Sequence, residues 1–295
     1  MTRPTPRIVF VHGIHQQGKS SEALRAEWLD ALAPALQTAG YAGAALEPDV
    51  PFYGDVLWEL SGRKGGPAVA QGDAPVSTGE EAFLSEGLEE IADRDARIDE
   101  DDVDAEEAVI SATTDQGLLS MDRRSNAIAR VIERVSPLHG DFALKVLHQA
   151  WIYLKKPGAA EQVDAIVAPH FDTGPVIVVA HSLGTIVSFK LLRRLALEGR
   201  GLEVPLFVTL GSPLSLRTVR KALGPAFTPP AGVKRWLNAY DKDDFVALGQ
   251  GLTKSTFADG IENWADVAGP EDDPHAIRGY LSDAKVVAAL REALG

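Results

Sequence analysis

Apolar positions fall along this chain in two rhythms. Arg7–Val11 (RIVFV) and Val176–Val179 are short unbroken apolar runs, as expected of strands buried on both faces of a parallel sheet. Leu206–Leu210 and Val233–Tyr240 read the same way, and a last strand is expected near Ile261–Val267. Ala44–Tyr53 reads as a further strand, with turn signals at Pro48 and Pro51. Other stretches carry helical spacing. In Ser20–Ala39, Leu24, Trp28, Leu32 and Leu36 fall four apart, with Ser20 or Ser21 placed to cap the start and Gly40 to end it. Helices are predicted over Ser125–Val135, Phe142–Leu154, Ala159–Pro169, Gly184–Leu197 and Asp283–Leu294, and a short one over Leu214–Ala222. Strands alternating with helices predict an α/β fold with a mostly parallel central sheet covered by helices on both faces. In such sheets, sites lie at the carboxyl ends of the strands.

The middle of the chain breaks this rhythm. Ser61–Thr78 is rich in Gly, Pro and Ala and reads as a loop. Glu80–Ile110 sets Phe83, Leu84, Leu88 and Ile91 at helical spacing among dense carboxylates. Residues 61–140 are read as an insertion within one domain spanning 1–295.

Charge sharpens the picture. The net charge is −13, and Ser77–Glu107 holds fourteen Asp/Glu against two Arg, so this block carries −12 of it. The remainder is nearly neutral and lacks the clustered Lys and Arg that bind nucleic acid, so no nucleic-acid partner is expected. The block itself reads as a solvated helix face. With 45% hydrophobic residues the chain can bury a full core. It has no Cys, which excludes disulfides, thiolate metal sites and cysteine nucleophiles and fits a reducing cytoplasm. No run of about 18 apolar residues and no signal-like apolar region occurs, so a cytoplasmic protein without integral membrane association is expected. The oligomeric state is not legible.

One motif carries chemistry directly. Pro175–Val179 runs into Ala180-His181-Ser182-Leu183-Gly184, and a helical pattern begins at once. A strand-to-helix turn with small residues two positions either side of a Ser is the context of a nucleophile elbow, although Ala180 stands where Gly is usual. The tight turn holds the hydroxyl out, and the Leu183 N–H can face a developing oxyanion. A plain helix-capping Ser is the structural alternative.

A second motif points elsewhere. Gly13-Ile14-His15-Gln16-Gln17-Gly18-Lys19-Ser20 matches G-x-x-x-x-G-K-S between a strand and a helix, as a phosphate-cradling loop of a nucleotide hydrolase would. Such an enzyme also needs an apolar strand ending in a magnesium-binding Asp. Only the strand ending at Asp241 offers one.

Taken in order, Phe10-Val-His-Gly13, Val179-Ala-His-Ser-Leu-Gly184, Thr209-Leu-Gly-Ser-Pro-Leu214, Asp241-Lys-Asp-Asp-Phe-Val246 and His275 make the chain resemble the α/β-hydrolase-fold serine hydrolases, on their lipase and esterase side. The resemblance spans nearly the whole chain except 61–140. It implies a carboxylic ester hydrolase with a triad in the order Ser, acid, His. Ser182 is then the nucleophile. Of seven histidines only His275 follows it, which makes His275 the general base. The acid follows the strand ending at Tyr240: Asp244 is chosen, with Asp241 second. His12 and Gly13 become the supporting loop, whose Ile14 N–H joins that of Leu183 in an oxyanion hole. Gly211-Ser212-Pro213 is read as a structural turn. No metal or organic cofactor is called for, and the implied partner is a small-molecule or lipid ester. The insertion, with Ser125–Val135 and Phe142–Leu154, is expected to form a helical cap, with Phe83, Leu84 and Leu88 lining an acyl pocket above Ser182. The rival readings are a non-catalytic hydrolase-fold binding protein and the nucleotide hydrolase.

Overall fold

The structure is a computed structural model that describes residues 6–61, 77–112, 121–135, 140–171, 174–225, 227–270 and 272–295. The element order is β1 (Arg7–Val11), α1 (Ser21–Thr38), α2 (Gly54–Leu60), α3 (Thr78–Arg94), α4 (Glu100–Ala112), α5 (Arg123–Val135), α6 (Gly140–Lys155), α7 (Ala159–Val167), β2 (Val176–His181), α8 (Leu183–Leu197), β3 (Phe207–Leu210), α9 (Arg217–Leu223), β4 (Trp236–Ala239), β5 (Glu262–Trp264), α10 (Ile277–Ser282) and α11 (Ala284–Leu294). The five strands form one all-parallel sheet in chain order. The loop predicted over Ser61–Thr78 lies mostly outside the described residues.

Alternation along each strand divides the core in two. Val9, Val11, Val176, Val178, Ala180 and Phe207 point to one face, where α5–α8 bury their apolar sides. Ile8, Phe10, Ile177, Val179 and Val208 point to the other, covered by α1, α10 and α11. The first strand's burial on both faces accounts for its unbroken apolar run. Ser20 caps α1 by accepting from the Ala23 N–H at 3.2 Å, and Leu24, Trp28, Leu32 and Leu36 are its buried residues.

The strand predicted over Ala44–Tyr53 does not form. Only Asp49 pairs, as a single bridge beside Val9. Its N–H donates to Ile8 and its carbonyl accepts from Phe10, both at 2.9 Å. Pro48 and Pro51 each lack an N–H, so no ladder can extend from this bridge. The bridge still fixes topology. From β1 the chain travels outward over one face through α1 to Asp49, then back across the other face to β2 and onward through α8 to β3. The direction of winding therefore reverses around β1 and β2, and the crevice outside their carboxyl ends is the topological switch point.

The acidic block forms α3 and α4. It is less simply solvated than its composition suggests, because α5 meets it with arginines. Arg124 lies 2.5 Å from Glu100 and 3.4 Å from Asp104, and Arg130 lies 3.1 Å from Glu106, which Arg134 also contacts. Glu90 is buried between Arg94 at 3.3 Å and Arg217 at 3.7 Å. Among the described residues no helix is long and apolar enough to cross a membrane.

Candidate active site

The turn at Ser182 follows from what surrounds it. β2 ends at His181 and α8 begins at Leu183, so Ser182 alone makes the reversal, at φ 53° and ψ −127°. A non-glycine residue there costs about 1–3 kcal/mol and persists only where neighbours over-determine it. The Ser182 N–H donates to Leu210 O at 3.0 Å, and its carbonyl accepts from the Thr185 N–H at 2.9 Å and hydroxyl at 2.7 Å. Gly184 allows α8 to start against β1: a Cβ there would lie 2.6 Å from the His12 carbonyl oxygen and closer still to that of Val11. Gly13 does the same from the other side, since its Cβ would lie 2.7 Å from Ser182 Cβ. Ala180 is fully buried within the sheet. The Ser182 hydroxyl ends buried and without a hydrogen-bond partner, so it is not spent on capping α8.

His275 and Asp244 meet beside it. The His275 Nδ1–H donates to Asp244 Oδ2 at 2.7 Å, which leaves Nε2 as the free lone-pair nitrogen, buried and unpartnered. Asp244 is fully enclosed. Its Oδ1 accepts from the Val246 N–H at 2.9 Å and the Ala247 N–H at 3.4 Å, and its Oδ2 also accepts from the Tyr280 hydroxyl at 2.6 Å. Burial opposes its charge. Attraction to His275 and the hydrogen bonds from His275 and Tyr280 outweigh that and hold its carboxyl below the usual range. Asp241, the second candidate acid, faces away and accepts from the Gly269 and Asp243 N–H groups at 2.7 and 2.9 Å. Gly211, at φ 54°, presents a bare Cα to the pair: a Cβ would lie 2.8 Å from Asp244 Oδ2 and 3.0 Å from the His275 ring. Ser212 bonds Thr185 and caps the following turn, a structural role.

Three residues of the site were not singled out from sequence. Tyr280 is one. His181 is another: its ring lies 4.6 Å from that of His275, and its Nε2–H donates to the His275 carbonyl at 2.9 Å. Burial and the neighbouring His275 push it down to about 3, so it is neutral. Phe142 is the third, with its ring 5.3 Å from both His15 and His275. The position of His181 beside Ser182 was a usable signal; Tyr280 and Phe142 carry none outside the fold.

The loop after β1 is built on His12. Its Nδ1–H donates to Gly13 O at 2.8 Å and its Nε2 accepts from the Tyr53 N–H at 3.2 Å, which fixes the neutral tautomer. Tyr53 stacks on the ring at 3.9 Å and its hydroxyl donates to His12 O. Burial pushes His12 down to about 4. The result carries Gly13 against Ser182, with Ile14 lining the same cavity, while Leu183 supplies a first-turn amide of α8. The phosphate-cradle geometry is not present. Asp55 sits on the Gly18 N–H at 2.7 Å, Lys19 pairs with Glu27 at 2.6 Å, and Ser20 caps α1. A carboxylate on the loop's amide opposes a bound phosphate.

A cavity of about 840 Å³ opens here, lined by Gly13, Ile14, Trp28, Phe142, Ser182 and His275 among others. Phe83, Leu84 and Leu88 do not line it, which corrects the expected cap. They pack into the core on the α8 side of the sheet, with α3 lying against α5, α6 and α9. The stripe is hidden by neighbouring helices, and among the described residues of the segments expected above Ser182 only Phe142 of α6 lines the cavity. Among the described residues no three His, Asp or Glu side chains converge as metal ligands. Compared with known proteins, the chain matches no family model, no curated protein and no solved structure.

Proposed function

We propose that the chain is a serine hydrolase of the α/β-hydrolase type that cleaves carboxylic esters through an acyl-enzyme on Ser182. One observation carries this reading. Ser182 and His275 line one cavity, Ser182 Oγ and His275 Nε2 are buried without hydrogen-bond partners, and the imidazole is tied at its other nitrogen to a buried carboxylate. Unpartnered buried polar atoms are costly and call for a functional reason. In this mechanism His275 takes the hydroxyl proton as Ser182 attacks the carbonyl. Asp244 holds the imidazole and stabilises its protonated form. The Ile14 and Leu183 amides receive the oxyanion, each worth about 3 kcal/mol. His275 then protonates the leaving alcohol, and water repeats the attack. An aryl fluorophosphonate should label Ser182, mapped by mass spectrometry. Ser182→Ala should fold, lose the label and lose about 10⁴-fold or more of p-nitrophenyl acetate turnover. An unlabelled Ser182 in folded protein, or full turnover in Ser182→Ala, overturns the reading.

A further inference from the structure

His181 stands between the two halves of the site. It is the last residue of β2, a strand with parallel partners on both sides. Ala180 pairs with Val11 of β1 and Thr209 of β3, and His181 itself pairs with Leu210. The next residue is Ser182, whose N–H donates to Leu210 O at 3.0 Å. One peptide unit therefore separates the His181 backbone from that of the nucleophile, with Cα atoms about 3.8 Å apart. The His181 side chain reaches the other way. Its Nε2–H donates to the main-chain carbonyl of His275 at 2.9 Å, across 94 residues of sequence. A carbonyl oxygen only accepts, so this bond puts the ring proton on Nε2.

His275 needs such an anchor. Its Nδ1 is tied to Asp244 at 2.7 Å, which orients the ring but does not set its distance from Ser182. Its loop is closed by short-range turns, Asp273 N–H to Pro270 O and Ala276 N–H to Asp273 O, both at 3.0 Å. These two bonds shape the loop, and neither reaches β2. The His181 bond does: it joins the main chain of the base to the strand that carries the nucleophile. His181 is itself wedged among rings, with His275 at 4.6 Å, Tyr280 at 5.9 Å and Trp28 at 6.4 Å. Burial keeps it neutral, so the contact sets no second cation beside the imidazolium that forms on His275.

We infer that His181 is a positioning residue of this site: its Nε2–H holds the main chain of His275 at the working distance from Ser182. The inference rests on the serine-hydrolase reading. In this role His181 takes no proton from Ser182 and touches no reacting atom; it acts through His275. Displacing a catalytic group by about 1 Å can cost about 10²-fold in rate. His275 serves both acylation and deacylation, so the two steps slow together. The effect therefore falls on kcat and on the rate of Ser182 modification, and leaves KM nearly unchanged.

Two substitutions in the full chain separate the hydrogen bond from the packing. His181→Gln keeps an N–H donor near the Nε2 position and loses the ring. His181→Phe keeps a ring against Trp28 and Tyr280 and loses the donor. With p-nitrophenyl acetate, His181→Phe should lower kcat about tenfold to a hundredfold with KM within about twofold. Fluorophosphonate labelling of Ser182 should slow by the same factor. His181→Gln should keep kcat within about threefold of wild type. A His181→Gln protein as slow as His181→Phe, or a His181→Phe protein as fast as wild type, overturns the inference, while labelling of wild-type Ser182 leaves the serine-hydrolase reading intact. If neither variant folds, NMR of the wild-type protein with isotope-labelled histidine ring nitrogens decides. The His181 ring should then carry its proton on Nε2, and a proton on Nδ1 alone overturns the inference. If wild-type Ser182 does not label and the ester is not turned over, both readings fall together.

Discussion

Asp241 and Asp244 leave the same loop three residues apart, and their hydrogen bonds divide the work. Asp244 spends one oxygen on backbone amides and the other on His275 and Tyr280, whereas Asp241 ties the loop to Gly269. Asp244→Asn should therefore keep the fold and lower kcat by about 10⁴-fold, because the amide can no longer hold the imidazole in the required tautomer. Asp241→Asn should act on the melting temperature instead; a 10⁴-fold kcat loss in that variant, with Asp244→Asn active, would exchange the two roles. Tyr280 makes a finer prediction. Its hydroxyl donates to the oxygen that also faces His275, so it draws off part of the carboxylate's charge. In Tyr280→Phe the Asp244 carboxylate loses this donor, and kcat/KM should fall by about threefold or more while the fold persists. An unchanged kcat/KM with a lowered melting temperature would make Tyr280 a structural residue only.

At the scale of elements, the strand–turn–helix at Ser182 was legible because a buried strand, a tight turn and an amphipathic helix each leave a local pattern, and all three meet within ten residues. Ala44–Tyr53 misled for the complementary reason. Its composition suits a strand, but pairing depends on donors that Pro48 and Pro51 remove. The helix stripe of α3 was legible as a stripe, yet nothing local says which surface hides it. That surface is built by α5, α6 and α9, dozens of residues away. Tyr280 and Phe142 escaped notice on the same ground, since their roles exist only once α10 and α6 are docked. The Gly13–Ser20 loop shows a motif outvoted by its neighbours. Lys19 and Glu27 are both well exposed, so Lys19→Ala should cost no more than about 1 kcal/mol. Mg-ATP should not raise the melting temperature of the wild-type protein; a stabilisation by Mg-ATP that Lys19→Ala abolishes would reinstate the phosphate cradle.

For the molecule as a whole, the buried histidines set how stability varies with pH. His12 titrates near its ordinary value of 6.5 when the chain is unfolded and is held to about 4 in the fold. Between those values the unfolded chain binds a proton that the folded chain refuses, so stability falls as pH drops from about 6.5 to about 4 and is unaffected by this group above that window. The full loss is about 3 kcal/mol, a sizeable part of what holds a domain together. His181, held to about 3, adds in the same direction and extends the decline lower. Asp244 enters last. Its carboxyl is held below the usual range, so its contribution is present above about 3.9 and is lost as pH falls further. The three windows overlap in one direction, and the protein should be most stable above about pH 6.5. Urea midpoints measured between pH 7.5 and 4.5 should fall steadily for the wild type. His12→Asn should be less stable at pH 7.5, having lost the stacking on Tyr53, but its midpoint should fall less across the same range because the titrating group is gone. Parallel curves for the two proteins would place the acid sensitivity elsewhere, and the ion pairs between α4 and α5 would then be the place to look.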